Sequence, residues 1–204
     1  MQEQEYHKGM LENSDTRSKI LDAAEQIARE QGISALSMRG IAERIGLSAP
    51  AAYRHFASKS EIVEAMIERG YRKFMEGLAV ARKDVSGSLH ILKVTLEYYL
   101  RFWMQDRAGF RIVAEWSKEE SFLSEAAIFA GSFGDLPDLV EDIMGSSRDH
   151  QQVAIFSRCI AAALYGITLS VVQDTGIPRE QEEELAAAAA EFLIQRLIEY
   201  TNHT

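Results

Sequence analysis

Two very short helical patterns joined by a three-residue break constrain this chain more than any other feature. In "SMRGIAERIGLSAPAAYRHF", Met38, Ile41, Ala42 and Ile45 recur at i, i+3, i+4 and i+7; "GLS" intervenes, and a second short pattern follows. Ser37 is placed to cap the first helix, and Gly46 to end it in the left-handed conformation. Ser48 can cap the second helix, which puts Ala49 at its first position and Pro50 at its second. A proline there loses no helix hydrogen bond, and its fixed φ suits the first turn. Helices this short are unstable alone in water, so their neighbours must hold them.

The neighbours are legible. Ile20, Ala24, Ile27 and Ala28 form one apolar stripe ending at Gly32, which predicts a helix over 16–31. "SKSE" opens a fourth helix with Ser58 and Glu61 at capping-box spacing, and Val63, Ile67, Phe74 and Leu78 carry its stripe to about residue 82. After "KDVSGS" come long apolar patterns without strand alternation, read as helices over 87–105, 107–117, 119–130, 137–144, 150–174 and 179–201. "AGSFGDLPD" interrupts them. The expected fold is all-α: a three-helix helix-turn-helix domain over 16–60, then a larger helical domain over 61–204. Residues 1–15 are polar and are expected to form a loose arm.

At 47% hydrophobic, the chain can bury a substantial core. The first fifteen residues lack the apolar run of a signal peptide, and no stretch reaches eighteen uninterrupted apolar residues, so a soluble cytoplasmic protein with no membrane partner is expected. Cys159 is alone, which excludes an internal disulfide, and the five histidines show no zinc spacing. No metal or cofactor is expected. No paired acid and base, nucleophile elbow or phosphate loop points to an enzyme.

A helix-turn-helix and two core-packing helices joined by an ordinary turn fit the spacing of 37–57 equally well. The side chains favour the former. At 100° per residue, Ala52 and Phe56 share one face of the third helix, while Pro50 and Arg54 lie nearly opposite, flanked by Ala51 and Tyr53. The outward face is low and hydrogen-bonding: Ala49 and Ala51 can touch a thymine methyl, and Arg54 can pair with guanine or phosphate. Tyr53 and Lys59 suit phosphate contacts. The net charge of −9 looks wrong for a nucleic-acid partner until the chain is divided. Residues 1–73 are neutral, all the excess acid lies in 74–204, and 33–60 hold Arg39, Arg44, Arg54 and Lys59 against Glu43 alone.

The run "TRSKILDAAEQIAREQGISALSMRGIAERIGLSAPAAYRHFASKSEIVEAMI", residues 16–67, resembles the DNA-binding domain of the TetR family of bacterial transcriptional regulators. The likeness rests on "ILDAA", "SMRGIAERIGLS" and "YRHFASKSEI", in order and at the family's spacing. It implies a homodimeric, ligand-responsive regulator, usually a repressor, on a pseudo-palindromic double-stranded DNA operator. It also implies that Ser37 touches phosphate and that Arg39 reaches a base edge or phosphate. Ser48, Ala49, Pro50 and Ala51 then begin the groove-facing helix, Tyr53 and His55 bind backbone phosphates beside Arg54, and Lys59 clamps the flanking phosphate. Tyr53 packed between helices and His55 as a packing or capping residue are the alternatives. Two positions depart from the pattern: Gly40 replaces an acidic or polar residue and Ala52 a larger aliphatic, which predicts an unusually close approach of the second and third helices.

The resemblance fades after about residue 75. Residues 90–133 are dense in aromatics, and Tyr98, Phe102, Trp103, Phe110, Trp116, Phe122 and Phe129, with Tyr165, are candidates to line an apolar effector cavity. An ordinary aromatic core accounts for the same residues. Arg101, Arg111, His90 or Glu115 could orient the ligand. "AAALYG" at 161–166 and "LAAAAAEFLIQRLIEY" at 185–200 carry small and apolar residues suited to pairing two helices from each of two subunits, giving a homodimer through 150–174 and 179–201. Their pairing within a monomer is the simpler alternative. The expected switch moves the fourth helix. The rival functions are an architectural DNA-binding protein without a ligand and an all-helical enzyme.

Overall fold

The computed structural model describes the backbone of residues 2–119, 134–145, 149–173 and 178–202, with side chains from residue 15 and excluding 117–119. Among the described residues every regular element is helical. The chain runs α1 (Gln2–Gln31), a 3-10 turn (Ile33–Ala35), α2 (Met38–Arg44), α3 (Ala49–Tyr53), α4 (Lys59–Arg82), α5 (Ser88–Gln105) and α6 (Arg107–Glu119). After the undescribed segment come α7 (Leu136–Met144), α8 (His150–Val172), a second 3-10 turn (Arg179–Gln181) and α9 (Glu182–Asn202). The helix expected over 119–130 lies outside the described residues, apart from its first.

The expected loose arm is instead the start of α1, which is continuous from Gln2 to Gln31. Gln, Glu, Lys, Met and Leu dominate residues 2–15, and these good helix formers let the helix propagate back from its packed turns.

Two compact units divide the chain: Met1–Tyr71 with Arg111–Glu120, and Arg72–Phe110 with Ser121–Thr204. Both α4 and α6 therefore contribute residues to each. In the first unit the stripe residues Ile20, Ala24, Ile27 and Ala28 are buried with Met38, Ile41 and Ala42 of α2, Ala52 and Phe56, and Ile62, Val63 and Met66 of α4. Ile112 and Trp116 of α6 complete this core. Arg69 on α4 ties it to α1, donating to Asp22 at 2.6 Å and to Glu25. Burial alone would raise the Glu25 carboxyl, but hydrogen bonds from Arg29 and Arg69 outweigh it and hold the group below the usual range.

In the second unit α5 is central, with α7, α8 and α9 packed on it. It buries Leu92, Leu96, Tyr99, Leu100 and Trp103, while α9 buries Ala186, Ala190, Ile194 and Leu197 at helical spacing. Arg82, the last residue of α4, donates to Thr95 at 2.8 Å and reaches Asp135 with both terminal nitrogens, at 2.5 and 3.3 Å. Gly77 has a packing reason: a Cβ there would lie 1.8 Å from the hydroxyl of Tyr98.

Candidate functional site

The local chemistry of α2 and α3 follows the sequence reading closely. Ser37 accepts the Gly40 N–H at 3.1 Å, and Ser48 accepts the Ala51 N–H at 3.3 Å, so each short helix has a side-chain cap. At the end of α2, Leu47 N–H reaches the Ala42 carbonyl at 2.9 Å and Gly46 N–H the Glu43 carbonyl at 3.2 Å. Gly46 sits at φ 70°. This paired closure uses the left-handed glycine to reverse the chain in three residues, and so sets where α3 starts. Ala52 and Phe56 face the core, with Ala52 wholly buried. Ser48, Pro50, Tyr53 and Arg54 are exposed, and Ala49, Ala51, His55 and Lys59 are half-buried.

The structure separates the cations that charge counting had grouped. Arg44 is spent on Glu30 of α1, donating to both its oxygens at 3.0 Å. Arg39 is exposed, with its Nε held by Glu43 at 2.7 Å, so the terminal nitrogens project from an oriented guanidinium. Among the described residues, Arg54 and Lys59 form no ion pair with the protein and remain available to phosphate. Tyr53 is 53% exposed, which is unlike a residue packed between helices. His55 is tied down through its backbone, its carbonyl accepting from Arg17.

The close helix approach expected from Gly40 is not its cause for being glycine. A Cβ at Gly40 would meet only the Ser37 hydroxyl, at 3.0 Å, and no atom of α3 within 4 Å. The glycine makes room for the cap of its own helix.

Charge reversal at Lys59 is unnecessary to test its role. Lys59→Ala should weaken binding to all duplex sequences about equally and reduce the salt slope by about one charge, measured by titration at several salt concentrations. A selective loss for one sequence would contradict a phosphate role.

In the second unit, the candidate aromatics Tyr98, Phe102, Trp103, Phe110 and Tyr165 join one continuous group of rings. Phe74 of α4 is its hub, with centroids 5.4 Å from Tyr98, 6.0 Å from Tyr99, 5.2 Å from Phe102 and 6.3 Å from Trp103. Phe110 continues the group, 5.8 Å from Trp103 and 5.5 Å from Tyr165. Burial pushes the Tyr99 phenol well up, with nearby Tyr165 adding and the neighbouring Thr168 hydroxyl opposing. Tyr98, Tyr99 and Tyr165 thus bring phenol hydroxyls into the ring group. Trp116 is a correction: it packs into the first unit's core with Ile112, because it follows Ile112 by one helical turn on α6. Its neighbour Glu115, expected among the polar candidates for the cavity, accepts the Ile33 N–H at 3.3 Å within the first unit. Phe122 and Phe129 lie outside the described residues.

Sequence reasoning missed Phe74 as the hub, because aromatic density was sought from residue 90 onward and Phe74 was assigned to the stripe of α4. It also missed Arg17, whose only signal was a cation on α1 one turn before the buried stripe.

Residues 20–66 match the family model described as bacterial regulatory proteins, tetR family. The HTH-type transcriptional activator FasR of Mycolicibacterium smegmatis is 28% identical over 162 residues, covering 78% of this chain and 71% of that protein. Among solved structures, FadR from Bacillus subtilis in complex with stearoyl-CoA gives a TM-score of 0.70 at 18% identity, over 87% of this chain and 97% of that one. The fatty acid degradation regulator FadR from Bacillus halodurans gives 0.66 at 16%, over 87% and 94%. At these identities the two structures speak to the fold alone.

Proposed function

Because the chain belongs to the TetR family of bacterial transcriptional regulators, and is therefore a DNA-binding regulator and not an enzyme, we propose a ligand-responsive homodimeric repressor. One recognition helix, α3, enters each half-site of a pseudo-palindromic operator in the cytoplasm. Two-fold symmetry sets the half-sites about one helical turn, ~34 Å, apart or a multiple of it. Ser37, Arg39, Ser48, Ala49, Pro50, Ala51 and His55 make contacts, with Arg54, Tyr53 and Lys59 the principal polar groups.

The effector is small and largely apolar, and the observation that carries this is the ring group around Phe74 with the Tyr99 and Thr168 hydroxyls set within it. The stearoyl-CoA bound by the structurally similar FadR makes a long acyl chain, free or carried as a thioester, the first apolar group to try. Phe74 and Gly77 belong to α4, the same helix whose first residue is Lys59, so a ligand among these rings acts on a helix that begins at the DNA contact. A coupling of about 1 to 3 kcal/mol, roughly five- to 150-fold in DNA affinity, is enough.

Dimerisation through α8 and α9 is supported by what they leave uncovered. Ile155 on α8 and Phe192 on α9 are 51% and 56% exposed, and α8 is long and apolar enough to cross a membrane by length and composition. The exposed Arg158 on it fits a helix paired with a second subunit better than one in lipid.

The test is thermal unfolding and DNA titration of the full chain with stearoyl-CoA, with CoA alone and with stearate. The expected result is a higher Tm and weaker DNA binding with the acyl thioester, with stearate or with both, and neither change with CoA alone. A Tm that no apolar ligand moves would favour an architectural DNA-binding protein. The activator name of the Mycolicibacterium relative supports a second reading, in which the effector tightens DNA binding. The sign of the affinity change separates the two.

A further inference from the structure

Arg17 of α1 makes three different contacts with the segment that joins α3 to α4. One terminal nitrogen donates to the backbone carbonyl of His55, just beyond the end of α3. The other donates to Glu61 at 3.2 Å. The guanidinium carbon lies 3.8 Å from the centroid of the Phe56 ring. Glu61 in turn accepts the Ala57 N–H at 2.7 Å through its second oxygen, while its own N–H donates to Ser58 at 3.1 Å. The residues from His55 to Glu61 are thus gathered around one side chain.

This matters because α3 has only five residues and cannot hold its own direction. Its final turn closes on the Ala51 and Ala52 carbonyls, and Arg17 holds the chain just beyond it by donating to the carbonyl of His55. The principal polar groups assigned to DNA adjoin or belong to the gathered segment: Tyr53 and Arg54 just before it, Lys59 within it at the start of α4. An arginine can supply two donor edges and a stacking face together, whereas a lysine supplies only a point charge.

We propose that Arg17 is a positioning residue of the DNA interface: from α1 it fixes how Tyr53 and Arg54 are set relative to Lys59, without itself touching DNA. The proposal rests on the DNA-binding reading, and the experiment keeps the two apart. The full-length wild-type protein is used to select duplexes from a random-sequence pool. Affinity for the selected duplex and for a scrambled one is then measured over a salt series for wild type, Arg17→Ala, Arg17→Lys and Glu61→Gln, alongside thermal unfolding.

Arg17→Ala should lose on the order of tenfold on the selected duplex and less than about twofold on the scrambled one, with the salt slope on the scrambled duplex unchanged. Arg17→Lys should recover only part of the loss, and Glu61→Gln should lose selectivity in the same direction. An equal loss on both duplexes with the slope lower by about one would identify a phosphate contact and overturn the proposal. Wild-type selectivity in Arg17→Lys would also overturn it, since charge alone would then suffice. If Arg17→Ala does not fold, the Lys and Gln variants decide by the same ratio, and unchanged selectivity in both rejects the positioning role. Failure of the wild-type protein to select any duplex would reject DNA binding itself, before any variant is made.

Discussion

Trp116→Ala is expected to cost about 3 to 5 kcal/mol and to abolish DNA binding before it affects any response to an effector. The indole is 6% exposed and belongs to the same core as Ile20, Ile41 and Phe56, the residues against which α2 and α3 are seated. Removing it leaves a cavity in a small core that has few ways to collapse. Two quantities check this: the Tm of the full chain and the affinity for a selected duplex. If Trp116 instead lined an effector cavity, the variant would keep DNA affinity and lose ligand response. That outcome would return it to the aromatic group of the second unit.

Phe74→Ala should have a loss of similar size, about 3 to 5 kcal/mol, centred on the other unit. Its ring is fully buried and lies within 6.3 Å of four other aromatic rings, so truncation removes the hub and not a rim. Edge and offset contacts of this kind add about 0.5 to 1.5 kcal/mol per pair beyond the area buried. Tm again reports the loss. Phe74→Leu, which keeps most of the volume, should recover much of the stability and still abolish the effect of an apolar ligand on DNA affinity. A Leu variant that responds like wild type would show that the Phe74 ring fills the core and takes no part in the response.

How much of this was legible in the sequence depended on the range of the interactions. Ser37, Gly46, Ser48 and Pro50 act within a few residues of themselves, and their roles follow from local backbone chemistry. The periodic stripes gave the buried faces of α1, α2 and α4 for the same reason, since a helix repeats its faces regularly. What the sequence concealed were partners far apart in the chain. Arg44 looked like an available cation until Glu30, on another helix, was found to hold it. Trp116 looked like one more ring in an aromatic stretch, because nothing local distinguishes a side chain of the first core from one of the second. Gly40 shows the converse error: a local cause, room for the Ser37 hydroxyl, was read as a tertiary one.

The return of residues 111–120 to the first unit also sets an order of synthesis. The helix-turn-helix is encoded near the start of the chain, yet Ile112 and Trp116, which finish its core, are translated about fifty residues after the turn that follows α3. A nascent chain that has produced α1 to α4 has its DNA-facing residues in hand but an unfilled core beneath them. Completion waits for α6, so a product that stops short of it should be open to proteolysis rather than a small DNA-binding protein in its own right.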